Sequence, residues 1–223
     1  MSIKENLDKT IETKLFEEII KGEWTPGSKI DLNRIIERYD VSRTPVIHAL
    51  RKMHSEGLVE YSSKGHFYVP DYDLKTIRDV TSMRKLLELQ GMRELKSYGM
   101  SIDFDLIREM NEQCEYHIDK GKLVEASVFD MRFHRYLIDA AGNKCLSDMF
   151  KIVQRQFMMI NYSIRRYKAS QQSAACLDHE RIIDYLEEHN YDQAAKILED
   201  HVSEAYLKIE KRFLEGKRDS IKN

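Results

Sequence analysis

The chain has 223 residues, a formal net charge of −2, 42% hydrophobic and 33% charged residues. That length suits two compact domains, and that composition excludes a disordered chain. The charge excludes a uniformly basic nucleic-acid binder, so any DNA-binding reading must rest on a local motif. With 3 Pro and 9 Gly, long amphipathic stretches predict a mostly helical protein. Cys114, Cys145 and Cys176 are odd in number, lie far apart and lack CxxC spacing, which argues for reduced thiols rather than a disulfide framework. The N-terminus is charged throughout and no apolar run approaches the ~20 residues of a membrane span, so a cytoplasmic location without membrane contact is expected.

Leu7, Ile11, Leu15 and Ile19 recur at helical spacing and predict a first helix. It should end near Lys21-Gly22, because glycine fits the left-handed cap position. Trp24-Thr25-Pro26-Gly27-Ser28 is a turn sequence. Asp31 is placed to cap a short helix carrying Leu32, Ile35, Ile36 and Tyr39. Ser42 is placed to cap a third helix. Pro45 falls in its first turn, where amides have no helical partner anyway. Val46, Ala49, Leu50 and Met53 line one face of that helix, and Gly57 ends it. Leu58–Tyr61 and His66–Val69 flank Ser62-Ser63-Lys64-Gly65, which predicts a β-hairpin. Three helices and a hairpin are the parts of a winged helix-turn-helix domain.

Pro70-Asp71-Tyr72-Asp73 reads as a linker, giving an expected N-terminal domain over 1–70 and a C-terminal domain over 71–223. Beyond the linker every period is helical. Helices are expected over about 73–98, 103–119, 122–140, 144–168, 171–188 and 191–214. Their breaks are Gly99, Gly121, Gly142-Asn143, a polar patch near Ala169-Ser170, and His189-Asn190. The expected fold is mainly α, a winged helix-turn-helix followed by an antiparallel bundle of six helices. Met149, Met158, Met159, Phe150, Phe157 and Tyr162 read as core or pocket lining.

The segment from Ile36 to Val46, with Tyr39-Asp40-Val41-Ser42-Arg43-Thr44-Pro45-Val46, then Ala49-Leu50, Gly57-Leu58-Val59 and a wing glycine, resembles the GntR family of bacterial regulators over about residues 8–70. The resemblance implies that the third helix enters the major groove of double-stranded operator DNA and the wing tip the adjacent minor groove. Physical chemistry agrees. A helix N-terminus offers unpaired N–H groups to a phosphate, and Arg43 stands there, able to reach a guanine edge. Ser42 and Thr44 can donate hydroxyls, Arg51 can meet the backbone, and Lys64 and His66 are placed for the minor groove. Family members usually carry Arg-Glu after Thr-Pro-Val, whereas this chain has Ile47-His48. Ile47 is suited to a thymine methyl, and His48 to a base or phosphate.

Asp130 and His134 are four apart on one helix and so share a face. His179 and His201 each lie eleven residues from Asn190, where the last two helices are expected to turn. In an antiparallel hairpin those positions are level. One carboxylate and three imidazoles suit a divalent ion such as zinc or nickel, with positions left for water or a ligand. The plain alternative is an i,i+4 ion pair and ordinary core histidines. These four residues also resemble the FCD ligand-binding domain of the FadR subfamily over about 73–215, in which such residues hold a metal at the base of a pocket. The same resemblance gives Arg84 the role of gripping an effector carboxylate, against the alternative of a surface ion pair with Glu88. His54, His117 and His189 are assigned no site.

The function expected is therefore a homodimeric DNA-binding regulator, a repressor, controlled by a small organic acid bound at a metal-containing pocket. Rival readings are a regulator that answers to metal alone, a metal used only for structure, and a metal-dependent enzyme. Glu180, next to His179, is expected to face away from the ion, since consecutive helix residues point ~100° apart.

Overall fold

Helix starts and stops in this chain follow local chemistry. The computed structural model describes the backbone of residues 3–99, 101–165 and 173–221, so the expected break at Ala169-Ser170 lies outside the described residues. Helix α1 (Ile3–Ile20) buries Ile11, Leu15 and Ile19, while Leu7 stays exposed. It stops where Gly22 takes a φ of +89° and the Glu23 amide reaches back to the Glu18 carbonyl. Helix α2 (Leu32–Tyr39) begins under the Asp31 carboxylate, which accepts from the Asn33 amide at 2.9 Å. Helix α3 (Arg43–Ser55) buries Pro45, Val46, Ala49, Leu50 and Met53 against the other two helices. Ser42 occupies its N-cap position, but its hydroxyl makes no capping bond, unlike the expectation.

The hairpin is shorter than expected. Its described strands are β1 (Glu60–Tyr61) and β2 (Phe67–Tyr68), paired antiparallel with Glu60 opposite Tyr68, and Tyr68 also bridges to Lys29. The flanking residues are used elsewhere. The Leu58 amide closes the end of α3 on the Met53 carbonyl, and Val69 exchanges backbone bonds with Gly27 and Ser28. Gly65 turns the wing at a φ of +78°.

Helices α4 (Leu74–Tyr98), α5 (Phe104–Asp119), α6 (Leu123–Ala140), α7 (Lys144–Arg165), α8 (Ser173–Glu187) and α9 (Tyr191–Ile221) follow. Helix α9 runs past the expected end near 214, straight through Gly216, because one interior glycine costs only about 1 kcal/mol relative to alanine. Gly121, Gly142 and His189 take positive φ where breaks were expected. Residues up to Asp73 cluster with Met158–Ser163 as one unit, and Leu74–Phe157 with the chain from Ile164 onward as a second. Within the second, α4 packs on α6 and α9, and α5 on α6 and α8. Its core joins Met92, Leu95, Ile107, Phe133, Leu137, Ile182, Leu186, Leu198 and Val202. Phe150, Phe157 and Met159 are buried as expected, but Met149 is exposed on the outer face of α7. All three cysteines are free thiols. Among the described residues no helix is long and apolar enough to cross a membrane.

Candidate functional site

Three helices bring Asp130, His134, His179 and His201 to one point. One ligand atom from each lies within 4.8 Å of all the others. Asp130 Oδ1 stands 4.0 Å from His134 Nε2 and 3.5 Å from His179 Nε2. The three histidines are buried, and the Asp is half-buried. His134 Nε2 and His179 Nε2 have no hydrogen-bond partner among the described residues. Two buried, unpartnered imidazole nitrogens facing a carboxylate are what a divalent cation satisfies, so the residues fit a metal ion. Burial holds His134 below the ordinary histidine range, and holds His179 well below it, with the charges of His201, His134 and Arg84 adding to the effect on His179. Neutral imidazole is the form that ligates.

The opposite nitrogens are held from outside. His134 Nδ1 lies 2.7 Å from Glu88 Oε2, and His179 Nδ1 lies 3.1 Å from Asn111 Oδ1. His201 Nδ1 lies 3.5 Å from Asp178 Oδ2, and that contact lowers the Asp178 carboxyl. The Phe133 ring stacks on His179 at 4.0 Å between centroids. The His134 and His179 rings are thus each set in place by a partner on the far side, the arrangement that fixes tautomer and aim in metal sites. Spacing in the sequence found the four central residues. It missed Glu88, Asn111 and Asp178, although Asp178 adjoins His179 and Glu88 stands one turn from Arg84.

Arg84 does pair with Glu88, but not at the surface. Its Nε donates to Glu88 Oε1 at 2.5 Å, with the two side chains 1% and 2% exposed. Burial alone would raise the Glu88 carboxyl, yet Arg84 and His134 outweigh it and bring it down to about 2. The guanidinium lies over the Phe157 ring at 4.2 Å, and its Nη2 is buried without a partner among the described residues. Glu180 turns to Arg108 and Asn111, as its position on α8 implied. His117 stacks on Phe129 and His54 contacts the Val59 carbonyl, so neither joins the cluster.

In the N-terminal unit, Ser42, Arg43, Thr44, His48 and Arg51 are exposed along α3, and Lys64 at the wing tip. Arg43, Arg51 and Lys64 have no ion pair among the described residues. His48 differs, because its Nδ1 lies 3.2 Å from Asp8 Oδ2 on α1. Lys52, one turn further along, is likewise held by Glu12 at 2.6 Å. His66 is half-buried and joins Arg43 in lining a groove of about 400 Å³ together with Lys29 and Asn33. Lys29 and Asn33 were not singled out in the sequence, since they precede α3 and meet Arg43 only through folding.

Residues 79–204 match the FCD domain family, and residues 7–69 match the gntR family of bacterial regulatory proteins. The chain is 21% identical to the HTH-type transcriptional regulator YdhC of Bacillus subtilis (strain 168), over 90% of each chain. It is 24% identical to the HTH-type transcriptional regulator LutR of the same organism, covering 83% of this chain and 93% of LutR. Among solved structures, E. coli McbR/YncC superposes with a TM-score of 0.82 at 15% identity, covering 93% of this chain and 98% of that one. At such identity the superposition speaks to the fold.

Proposed function

Since the chain belongs to the GntR family of bacterial transcription regulators, with an N-terminal GntR helix-turn-helix and a C-terminal FCD domain of the FadR-like subfamily, we propose that it is a dimeric repressor whose operator binding is controlled by a small carboxylate held at a zinc- or nickel-containing pocket. The observation that carries the reading is a set of three buried nitrogens without a hydrogen-bond partner among the described residues. His134 Nε2 and His179 Nε2 offer lone pairs, and Arg84 Nη2 offers a charged N–H. A leftover buried donor or acceptor costs about 1–3 kcal/mol, more when charged. A divalent ion satisfies the first two. An anionic oxygen satisfies the third.

Asp130, His134, His179 and His201 would hold the ion, and the bound ion would supply a Lewis-acidic anchor for a ligand oxygen. Arg84, already fixed on Phe157, would bind the rest of the carboxylate. Ser42, Arg43, Thr44, His48, Arg51, Lys64 and His66 are the proposed DNA-facing residues. A near-neutral chain with a narrow cationic strip gains by presenting two copies of it, which supports a homodimer. Control requires the ligand to favour one arrangement of the DNA-binding domains, with a coupling of ~1–3 kcal/mol.

The test uses metal-loaded full-length protein and duplexes selected by it from a random pool. Acetate, malonate and citrate are then titrated while melting temperature and DNA retention are followed. The reading expects at least one acid to raise the melting temperature and change retention, with both effects lost in Arg84→Met. Retention that answers to metal alone would replace it with a metal-responsive regulator that has no organic effector.

A further inference from the structure

We propose that Glu88 is a positioning residue that couples anion binding at Arg84 to metal binding at His134. This rests on the metal and anion reading given above. Glu88 Oε1 takes the Arg84 Nε–H at 2.5 Å, and Glu88 Oε2 faces His134 Nδ1 at 2.7 Å. For His134 Nε2 to offer a lone pair to an ion, Nδ1 must carry the proton. Both neighbours of Glu88 are then donors. Only a group with two acceptor oxygens and no donor can bridge them, which singles out a carboxylate. Arg84 and Glu88 are one turn apart on α4, and all three side chains are buried, so the bridge has little freedom to rearrange.

The coupling has a definite sign. Arg84 gives its Nε–H to Glu88, while its Nη2 is buried without a partner among the described residues. An anion at Nη2 draws the guanidinium's charge away from Glu88. The carboxylate then pulls harder on the His134 proton, and the imidazole becomes a better donor to the ion. Anion and metal therefore tighten each other, and by linkage the factor is the same in both directions.

Glu88→Gln cannot make both contacts. If its oxygen faces His134, its amide nitrogen meets the Arg84 N–H. If its oxygen faces Arg84, its amide donates to His134 Nδ1 and forces the proton onto Nε2, the metal-facing nitrogen.

The experiment measures Co²⁺ affinity by chelator competition and the cobalt d–d absorption band. It compares the full-length wild type, Arg84→Met, Glu88→Gln and the double variant, each with and without acetate, with folding checked by circular dichroism. Glu88→Gln should bind Co²⁺ about 10–100-fold more weakly, with an altered band. The double variant should recover part of that loss, because the glutamine oxygen is free to face His134 once Arg84 is gone. Acetate should tighten Co²⁺ in the wild type alone. Strictly additive losses, or an acetate effect that survives Glu88→Gln, overturn the coupling while leaving the metal centre standing. A wild type that binds no Co²⁺ overturns both. Should Glu88→Gln not fold, Glu88→Asp keeps both acceptors on a shorter arm. It should then bind Co²⁺ with intermediate affinity and a weaker acetate effect, and wild-type behaviour there overturns the assignment.

Discussion

Asn111 Oδ1 stands 3.1 Å from His179 Nδ1, and the amide can face only one way. Its Nδ2 donates to the Cys176 carbonyl at 3.0 Å, and a carbonyl accepts but never donates. The oxygen must therefore take the His179 Nδ1 proton, which leaves the Nε2 lone pair facing Asp130. Asn111→Leu should weaken Zn²⁺ binding about 10–100-fold, as loss of such an outer partner does, while the chain stays folded. Competition against a chromophoric chelator measures this. Wild-type affinity in the variant would assign Asn111 to packing alone.

Metal removal should destabilise the C-terminal unit. An ion present at 100 times its dissociation constant adds about 2.7 kcal/mol to the folded state. For a chain of this size each kcal/mol moves the melting temperature by about 2–4 °C, so chelation should lower it by about 5–10 °C. Scanning calorimetry before and after treatment with EDTA reads the shift. In His134→Ala the chelator should have almost no effect, because the ion is already lost. A full shift there would exclude His134 as a ligand.

The four central residues were legible because local geometry determines them. Asp130 and His134 share a helix face by spacing alone, and His179 and His201 sit level because their helices turn near Asn190. Glu88 and Asn111 were hidden because they come from α4 and α5, and only tertiary packing carries them to α6 and α8. Arg84 shows the same divide. Its i,i+4 partner was readable, but burial of the pair was not, since that depends on α7 laying Phe157 across it. The hairpin was overextended for a related reason. The apolar residues Leu58 and Val69 look like strand, but folding assigns their amides to the α3 exit and the Ser28 turn.

On the surface proposed to face DNA, Arg43 is exposed at the first position of α3 and has no ion pair among the described residues. Arg43→Ala should cost about 1–3 kcal/mol in specific binding and relax base preference at one position. Lys64→Ala, at the wing tip, should instead weaken all duplexes alike and reduce the salt slope by about 1. Gel-shift titrations at several salt concentrations separate the two. Unchanged affinity for the selected duplex would remove Arg43 from the readout.

His48 enters any DNA complex already engaged with Asp8. The carboxylate also brings a negative charge toward the phosphates. Asp8→Asn should therefore strengthen duplex binding, by about 0.2–1 kcal/mol given the exposure of the pair. Part of that gain, the part that comes from freeing His48, should be lost in His48→Ala. Titration of both single variants and the double variant decides it, and equal gains in the two Asp8→Asn backgrounds would mean that only the phosphate repulsion matters.

Gly91 connects helix packing to the site. It lies three residues after Glu88 on α4 and faces Ile138, four residues after His134 on α6. A Cβ there would meet Ile138 Cδ1 at 2.6 Å and its Cα at 3.7 Å. For alanine the close atom is the tip of a side chain that can turn away, and removing a helical glycine gains about 1 kcal/mol, so Gly91→Ala should be near neutral. A leucine cannot be absorbed so. It should destabilise the fold by about 1–3 kcal/mol and push α4 from α6, lengthening the 2.7 Å contact between Glu88 and His134. Gly91→Leu should then lose metal affinity although no ligand has changed, whereas an equally destabilising substitution far from the α4–α6 contact should not. Chelator competition on both variants, at a temperature where each is folded, makes the comparison, and equal retention of metal would show that the helix spacing does not govern the site.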